Sequence, residues 1–165
     1  MELFVLRHGE AGKPLIPPAQ DFQRTLTQIG IKKVKDVGDS LKEWKVNLDK
    51  ILTSPLKRSL ETASIIAKVL NMEDRLEKCE SLGPEGNRSD LYKILSRMKR
   101  QSTVMIVGHE PYLSTLIGEV ISGNPNSHIS LKKGGLAKLE IQTFFPKASG
   151  ELKWLLTPKQ IKKIK

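Results

Sequence analysis

Four side chains in this sequence have types and positions suited to chemistry on an anion. Arg7 and His8 follow the apolar run "ELFVL", Arg58 stands four residues beyond the serine of "SPLKRS", and His109 follows "TVMIVG". His8 and His109 are two of only three histidines in the chain, which makes their placement after apolar runs informative. A guanidinium offers a planar fork of donors that matches the paired oxygens of a phosphate. An imidazole offers a nitrogen that can attack, or a proton that can be moved, near neutral pH. Taken singly, each residue has a plain alternative: a histidine after a strand is usually a hydrogen-bonded residue, and an arginine in a first helical turn usually faces water. Taken together, a cluster of this kind repels itself unless something anionic fills it.

The elements that would gather these residues can be read from the pattern of apolar positions. "ELFVL" at positions 2 to 6 reads as a buried strand ended by a polar, glycine-containing segment. "LTQIGIKKVKDVGDSLKEW" places Ile29, Val34, Val37, Leu41 and Trp44 at helical spacing, with Thr27 as its cap. "KILT" at 50 to 53 predicts a second strand, and "SPLKRSLETASIIAKVL" a second helix with Ser54 as N-cap and Pro55 at its first position. "TVMIVG" at 103 to 108 is the clearest strand, followed by a helix opening at Pro111. "GLAKLEIQ" and "ELKWLL" predict two more strands, separated by the turn-forming "PKASG". Strand and helix in alternation predict an α/β fold, a three-layer α/β/α sandwich around a mostly parallel sheet. In such a sheet the carboxyl ends of the parallel strands share one edge, where ligands bind near helix N-termini. Arg7, His8, Arg58 and His109 are expected to meet there.

Composition narrows the classes. At 165 residues, with 38% hydrophobic and 28% charged residues, the chain reads as one ordinary globular domain, expected over 1–157 and followed by a basic tail at 158–165. No apolar run approaches a membrane span and no secretory signal is expected, so a cytoplasmic location is the default. The single cysteine, Cys79, cannot form an internal disulfide, and Glu77 and Glu80 beside it are expected to raise its thiol pKa and make it a poor nucleophile. The net charge of +10 admits nucleic acid, anionic membrane or phosphorylated partners. Its lysines, however, are scattered along helical faces and massed in the terminal "TPKQIKKIK", the pattern of a solvated face and a frayed tail. Aromatic residues at 5% supply no series of stacking platforms, which argues against nucleic acid.

The segments "LRHGEA", "SPLKRSLETA" and "VGHEP" resemble, in order and spacing, the three signature segments of the histidine phosphatase superfamily, also called phosphoglycerate mutase-like. Within it the chain is most similar to the short SixA-type phosphohistidine phosphatases. It shares their small size, a "RTLTQIG" segment resembling their Arg-Pro-Leu-Thr-x-x-Gly, and the near absence of chain between the second and third motifs. The resemblance spans residues 2 to about 140.

That resemblance implies a phosphoglycerate mutase-like fold and a phosphatase that works without metal or other cofactor. His8 would be the nucleophile, carrying the phosphoryl group until water releases it. Arg7, Arg58 and a protonatable His109 would depress the pKa of His8 and stabilise the equatorial oxygens in the transition state. Gly9 would allow a close backbone approach or a positive φ, and Arg24 would contact phosphate or substrate, although Thr25 stands where relatives have proline. Ser54 reads as a cap rather than a catalyst. Relatives that cleave phosphoesters carry an acid between the second and third motifs; here Glu80 and Glu85 are on offer, and Glu85, in a Gly/Pro loop, is the favoured general acid. A phosphohistidine substrate needs no such acid when its other ring nitrogen is protonated. The implied partner is a phosphohistidine-bearing protein with an acidic surface, drawn by the lysine-rich face, with a small phosphomonoester as the alternative. A mutase is disfavoured because "GEAGKPLIPPAQDFQ" is short, and a non-catalytic phosphoprotein-binding domain because both histidines are retained.

Overall fold

The computed structural model describes residues 1–14 and 16–164. Its central sheet has six strands in the order β3-β2-β4-β1-β5-β6. In chain order they are β1 (Glu2–Arg7), β2 (Lys50–Thr53), β3 (Leu76–Lys78), β4 (Thr103–Gly108), β5 (Leu136–Thr143) and β6 (Ser149–Leu156). Strands β1 to β4 run parallel, while β5 pairs antiparallel with both β1 and β6. The α/β/α sandwich is therefore present with a mixed sheet: four parallel strands and an antiparallel hairpin at one edge.

Both faces of the sheet are covered, which is why its central strands read as unbroken apolar runs rather than alternating ones. Leu3 and Val5 of β1 and Val104 and Ile106 of β4 pack against α3 (Arg88–Ser96) and α4 (Tyr112–Ser122), through Leu91, Leu95, Leu113, Leu116 and Ile117. Phe4, Leu6, Met105 and Val107 point the other way, onto α1 (Gln28–Glu43) and α2 (Lys57–Leu70), through Val34, Val37, Leu41, Ala63 and Ile66. Thr27 caps α1 as expected, its hydroxyl accepting from the Gly30 N–H at 3.0 Å. Ile29, expected on the buried stripe, is 58% exposed; the stripe runs through Gly30 instead. Among the described residues no helix is long and apolar enough to cross a membrane.

Three expectations are corrected. The second helix opens at Lys57 with Leu56 at its N-cap position, so Ser54 is not its cap and Pro55 is not its first residue. The Ser54 hydroxyl is instead drawn to His109, accepting only a 3.3 Å bond from the Leu56 N–H on the way. The segment expected to fray beyond residue 157 forms α5 (Pro158–Ile161), with a Thr157–Gln160 capping box and Ile161 fully buried beside α1. Strand β3 and helix α3 were not anticipated: the first is three residues at the sheet edge, and the second covers only nine.

The topology creates one crevice. β1 and β4 are neighbours, with Arg7 opposite Gly108, yet α1 leaves β1 on one face and α4 leaves β4 on the other. Where adjacent parallel strands send their chains to opposite faces, a gap opens at their carboxyl ends.

Candidate active site

His8 and His109 stand at that gap, their ring centroids 5.1 Å apart and their planes inclined by 55°. The His8 N–H donates to Gly108 O at 3.0 Å, which carries the sheet register one residue beyond the strands. Gly9 N–H donates to the Thr62 hydroxyl (3.0 Å), which itself donates to Arg58 O (2.7 Å), so the end of β1 is tied to the first turns of α2. Gly9 makes the close approach expected of it, although without a positive φ: a Cβ there would lie 2.6 Å from Val34 Cγ2 on α1.

The tautomer of His8 follows from its partner. Nδ1 lies 2.7 Å from Gly9 O, and a carbonyl can only accept, so Nδ1 carries the proton and Nε2 keeps its lone pair. Burial pushes the ring's pKa down to about 4; the Gly9 bond works against that, and Arg58, Arg7 and Arg24 add to it. His8 is thus neutral at physiological pH, as nucleophilic use requires, though desolvation rather than its cationic neighbours is the leading cause.

His109 differs from expectation. Its Nε2 lies 2.7 Å from the Ser54 hydroxyl and 3.3 Å from that of Ser59, while Nδ1 is buried with no hydrogen-bond partner among the described residues. Burial, then His8 and the arginines, lower its pKa to about 3. The ring is neutral, not the cation anticipated. Only an anion close by would reverse this.

Three arginines border the histidines, Arg7 held by a backbone carbonyl and both Arg58 and Arg24 by Asp21. Arg7 NH1 donates to Leu131 O at 2.8 Å. Arg58 NH1 donates to Asp21 O and to Asp21 Oδ2, both at 3.0 Å. Burial and the nearby Arg24 push the Arg58 pKa down from its ordinary value, and Asp21 pulls it back up. Arg24 forms an ion pair with Asp21 Oδ1 at 2.8 Å through Nε and donates to Gly12 O at 2.9 Å through NH1. Despite Thr25, the segment is ordered: Leu26 N–H donates to Glu61 Oε2 at 2.7 Å, and Gly12 N–H to Thr25 O at 3.3 Å. The Nε atoms of Arg7 and Arg58 are buried without a hydrogen-bond partner among the described residues, donors in place for an anion.

Arg7, His8, Arg58, His109 and Arg24 are therefore brought together. Glu85 is not: it is exposed on a groove bordered by Arg88, Tyr92, Glu119 and Lys147, which none of those five residues lines. Glu80 is exposed as well. Cys79 is buried and unpaired, and burial more than Glu77 raises its thiol pKa. Asp21, Thr62 and Ser59, the partners of the cluster, were missed from sequence. The spacing of Asp21 and Arg24, one turn apart in a polar segment, was the one available signal.

An α/β/α sandwich with a neutral, oriented imidazole among guanidiniums at its switch point defines the class: an α/β enzyme with a cationic crevice at the carboxyl ends of its parallel strands. The chain belongs to the histidine phosphatase superfamily, whose branch 1 family model matches residues 3–82. An uncharacterized protein of Picosynechococcus sp. is 31% identical over 141 residues, covering 84% of each chain. Phosphohistidine phosphatase SixA of Escherichia coli K12 is 24% identical over 167 residues, 100% of this chain and 99% of that one. The structure of the protein histidine phosphatase SixA complexed with tungstate superposes over 100% of both chains with a TM-score of 0.84 at 23% identity.

Proposed function

We propose that the protein is a phosphohistidine phosphatase acting on a phosphorylated protein through a phosphorylated His8. The observation that carries this reading is the Nδ1 bond from His8 to Gly9 O, which leaves a neutral ring with Nε2 free beside three guanidiniums. Nε2 attacks phosphorus, and the P–N bond of the substrate breaks with its electron pair going to the leaving imidazole. When the other nitrogen of that imidazole is protonated, it leaves as a neutral molecule and needs no enzyme acid. Water then attacks the phosphorus on Nε2; the P–Nε2 bond breaks, its pair returns to Nε2, and phosphate departs carrying both protons of the water. Arg7, Arg58 and Arg24 neutralise the equatorial oxygens throughout. His109, raised by the phosphoryl charge, donates to an oxygen. A neutral leaving group agrees with the place of Glu85 on a groove that none of the cluster residues lines, whereas an alkyl phosphoester would want an acid at the cluster.

The test is a comparison of rates, in EDTA, on a phosphohistidine peptide, a phosphoserine peptide and a sugar phosphate, with rapid-quench labelling of the enzyme. The phosphohistidine peptide should be cleaved most efficiently and acid-labile phosphate should appear on His8. His8→Ala should abolish turnover, and Arg7→Ala, Arg58→Ala and His109→Ala should each cut it by about two to four orders of magnitude. Higher efficiency on the sugar phosphate, or label elsewhere than His8, would overturn the reading.

A further inference from the structure

The turn that clamps Arg7 and His8 carries two exposed lysines, Lys132 and Lys133. Leu131 is fully buried and its carbonyl accepts from Arg7 NH1. Gly134, at φ 70°, directs its N–H to the carbonyls of Arg7 (3.1 Å) and His8 (3.0 Å), and Arg7 N–H returns to Gly135 O (3.0 Å). A left-handed residue is required for that double contact, and glycine adopts it without strain. Held between these clamps, Lys132 and Lys133 are exposed. Neither side chain has an ion pair or hydrogen bond among the described residues; other exposed lysines such as Lys32, Lys68 and Lys147 share that, and what sets this pair apart is the turn that holds it against Arg7 and His8. Lys57, beside Arg58 at the start of α2, is likewise exposed and unpaired.

The 131–135 turn leads into β5, next to β1, and so sets these lysines at the β5 side of the histidine pair. A phosphoryl group alone is served by the guanidiniums, and adjacent unpaired lysines on a rigid turn repel one another. Their charge is complementary to carboxylates that a partner holds outside its phosphoryl group.

We infer that the Lys132–Lys133 turn docks an acidic protein segment whose carboxylates flank the phosphorylated side chain on the β5 side of the site. This rests on the phosphohistidine reading and adds the kind of protein surface that the site accepts. The test uses the full chain and the charge-reversed Lys132→Glu/Lys133→Glu variant with three probes: a phosphohistidine peptide flanked by glutamates, the same peptide flanked by serines, and phosphoramidate. At low salt the wild type should favour the acidic peptide by about tenfold in kcat/KM, with the advantage fading as salt rises. The variant should lose or invert that preference while cleaving phosphoramidate at the wild-type rate. A variant that keeps the preference, or that slows equally on phosphoramidate, would overturn the inference, as would stronger competition from an oligonucleotide than from an acidic peptide of equal charge. Binding of the two peptides to His8→Ala protein separates the two readings. Failure of the catalytic reading leaves a charge-dependent difference in affinity, and failure of the docking inference leaves equal affinities.

Discussion

One carboxylate, Asp21, bridges to Arg58 at 3.0 Å while its other oxygen lies 2.8 Å from Arg24 Nε. With His8 and His109 neutral, the three guanidiniums of Arg7, Arg24 and Arg58 against Asp21 leave two net positive charges, the complement of a phosphoryl dianion. Asp21 is thus a positioning residue: it holds two forks in register and relieves their repulsion.

Asp21→Asn should lower kcat/KM by about ten- to a hundredfold, the equivalent of the roughly 1.5–3 kcal/mol that a charged hydrogen bond contributes. KM should rise more than kcat falls, since the forks hold the ground-state phosphate too. Asp21→Glu should recover part of the loss. Wild-type kcat/KM in Asp21→Asn, checked on phosphoramidate, would remove Asp21 from the site.

The two histidines also set a pH dependence. Their pKa values fall from 6.5 to about 4 for His8 and about 3 for His109, so between these values and 6.5 the unfolded chain binds protons that the folded one refuses. The stability they contribute is fully present above pH 6.5 and is lost as pH falls through about 4 and then 3. Ring 15N spectra at pH 5.5 should show both as neutral imidazoles, and adding inorganic phosphate should shift both titrations upward. A His8 midpoint near 6.5 would remove the basis for a permanently available Nε2.

Much of this arrangement was legible in the sequence because it rests on short-range rules. Central strands buried on both faces leave continuous apolar runs, and such runs end at Arg7 and His109 whatever the loops do. Arg58 followed from the same reasoning applied to the first turn of the helix after β2. Ser54 did not: its hydroxyl could serve a helix or a side chain from β4, and only the packed structure decides for His109. Asp21 lies in a long connection whose path is set by tertiary contacts such as Leu26 to Glu61, which no periodicity encodes. The charge state of His109 was misread because its burial, the leading cause of the downward shift, is set by packing, and the cations around it push the same way.

Gly30 shows how the glycine of "RTLTQIG" serves the site. A Cβ on Gly30 would lie 2.1 Å from Glu10 O, the carbonyl that also accepts the Thr27 N–H at 2.9 Å. Alanine in a helix interior ordinarily stabilises by about 1 kcal/mol relative to glycine. Here Gly30→Ala should instead destabilise by about 1–3 kcal/mol, because the Glu10 backbone must move, and should depress kcat because Glu10 is two residues from His8. Urea denaturation and turnover measured together decide the sign; a stabilised, fully active variant would show that the first turn of α1 does not position the nucleophile.

The terminal helix offers a contrasting test, of stability without chemistry. Thr157, Pro158 and Gln160 supply a complete helix start, and Ile161 is then buried beside α1, where its carbonyl accepts from the Ser40 hydroxyl at 3.5 Å. Further along, Trp44 Nε1 donates to Ile164 O at 3.1 Å, and Lys162 pairs with Asp36 at 3.0 Å. Lys159, Lys162 and Lys163 face water while one isoleucine anchors the segment, so its charge alone is a poor guide to its state. Ile161→Ala removes a fully buried side chain and should cost about 2–5 kcal/mol, depending on how far α5 settles into the space. The loss belongs to the folded state as a whole, since Ile161 packs in the core cluster with Val34, Val37 and Leu41 and shares no hydrogen bond with His8 or His109 among the described residues. Its denaturant midpoint should therefore fall while kcat and KM on phosphoramidate stay within about twofold of wild type, the small change typical of sites without shared partners. An unchanged midpoint would mean that α5 detaches in solution, and a collapse of kcat at full stability would mean that it reaches the site through α1.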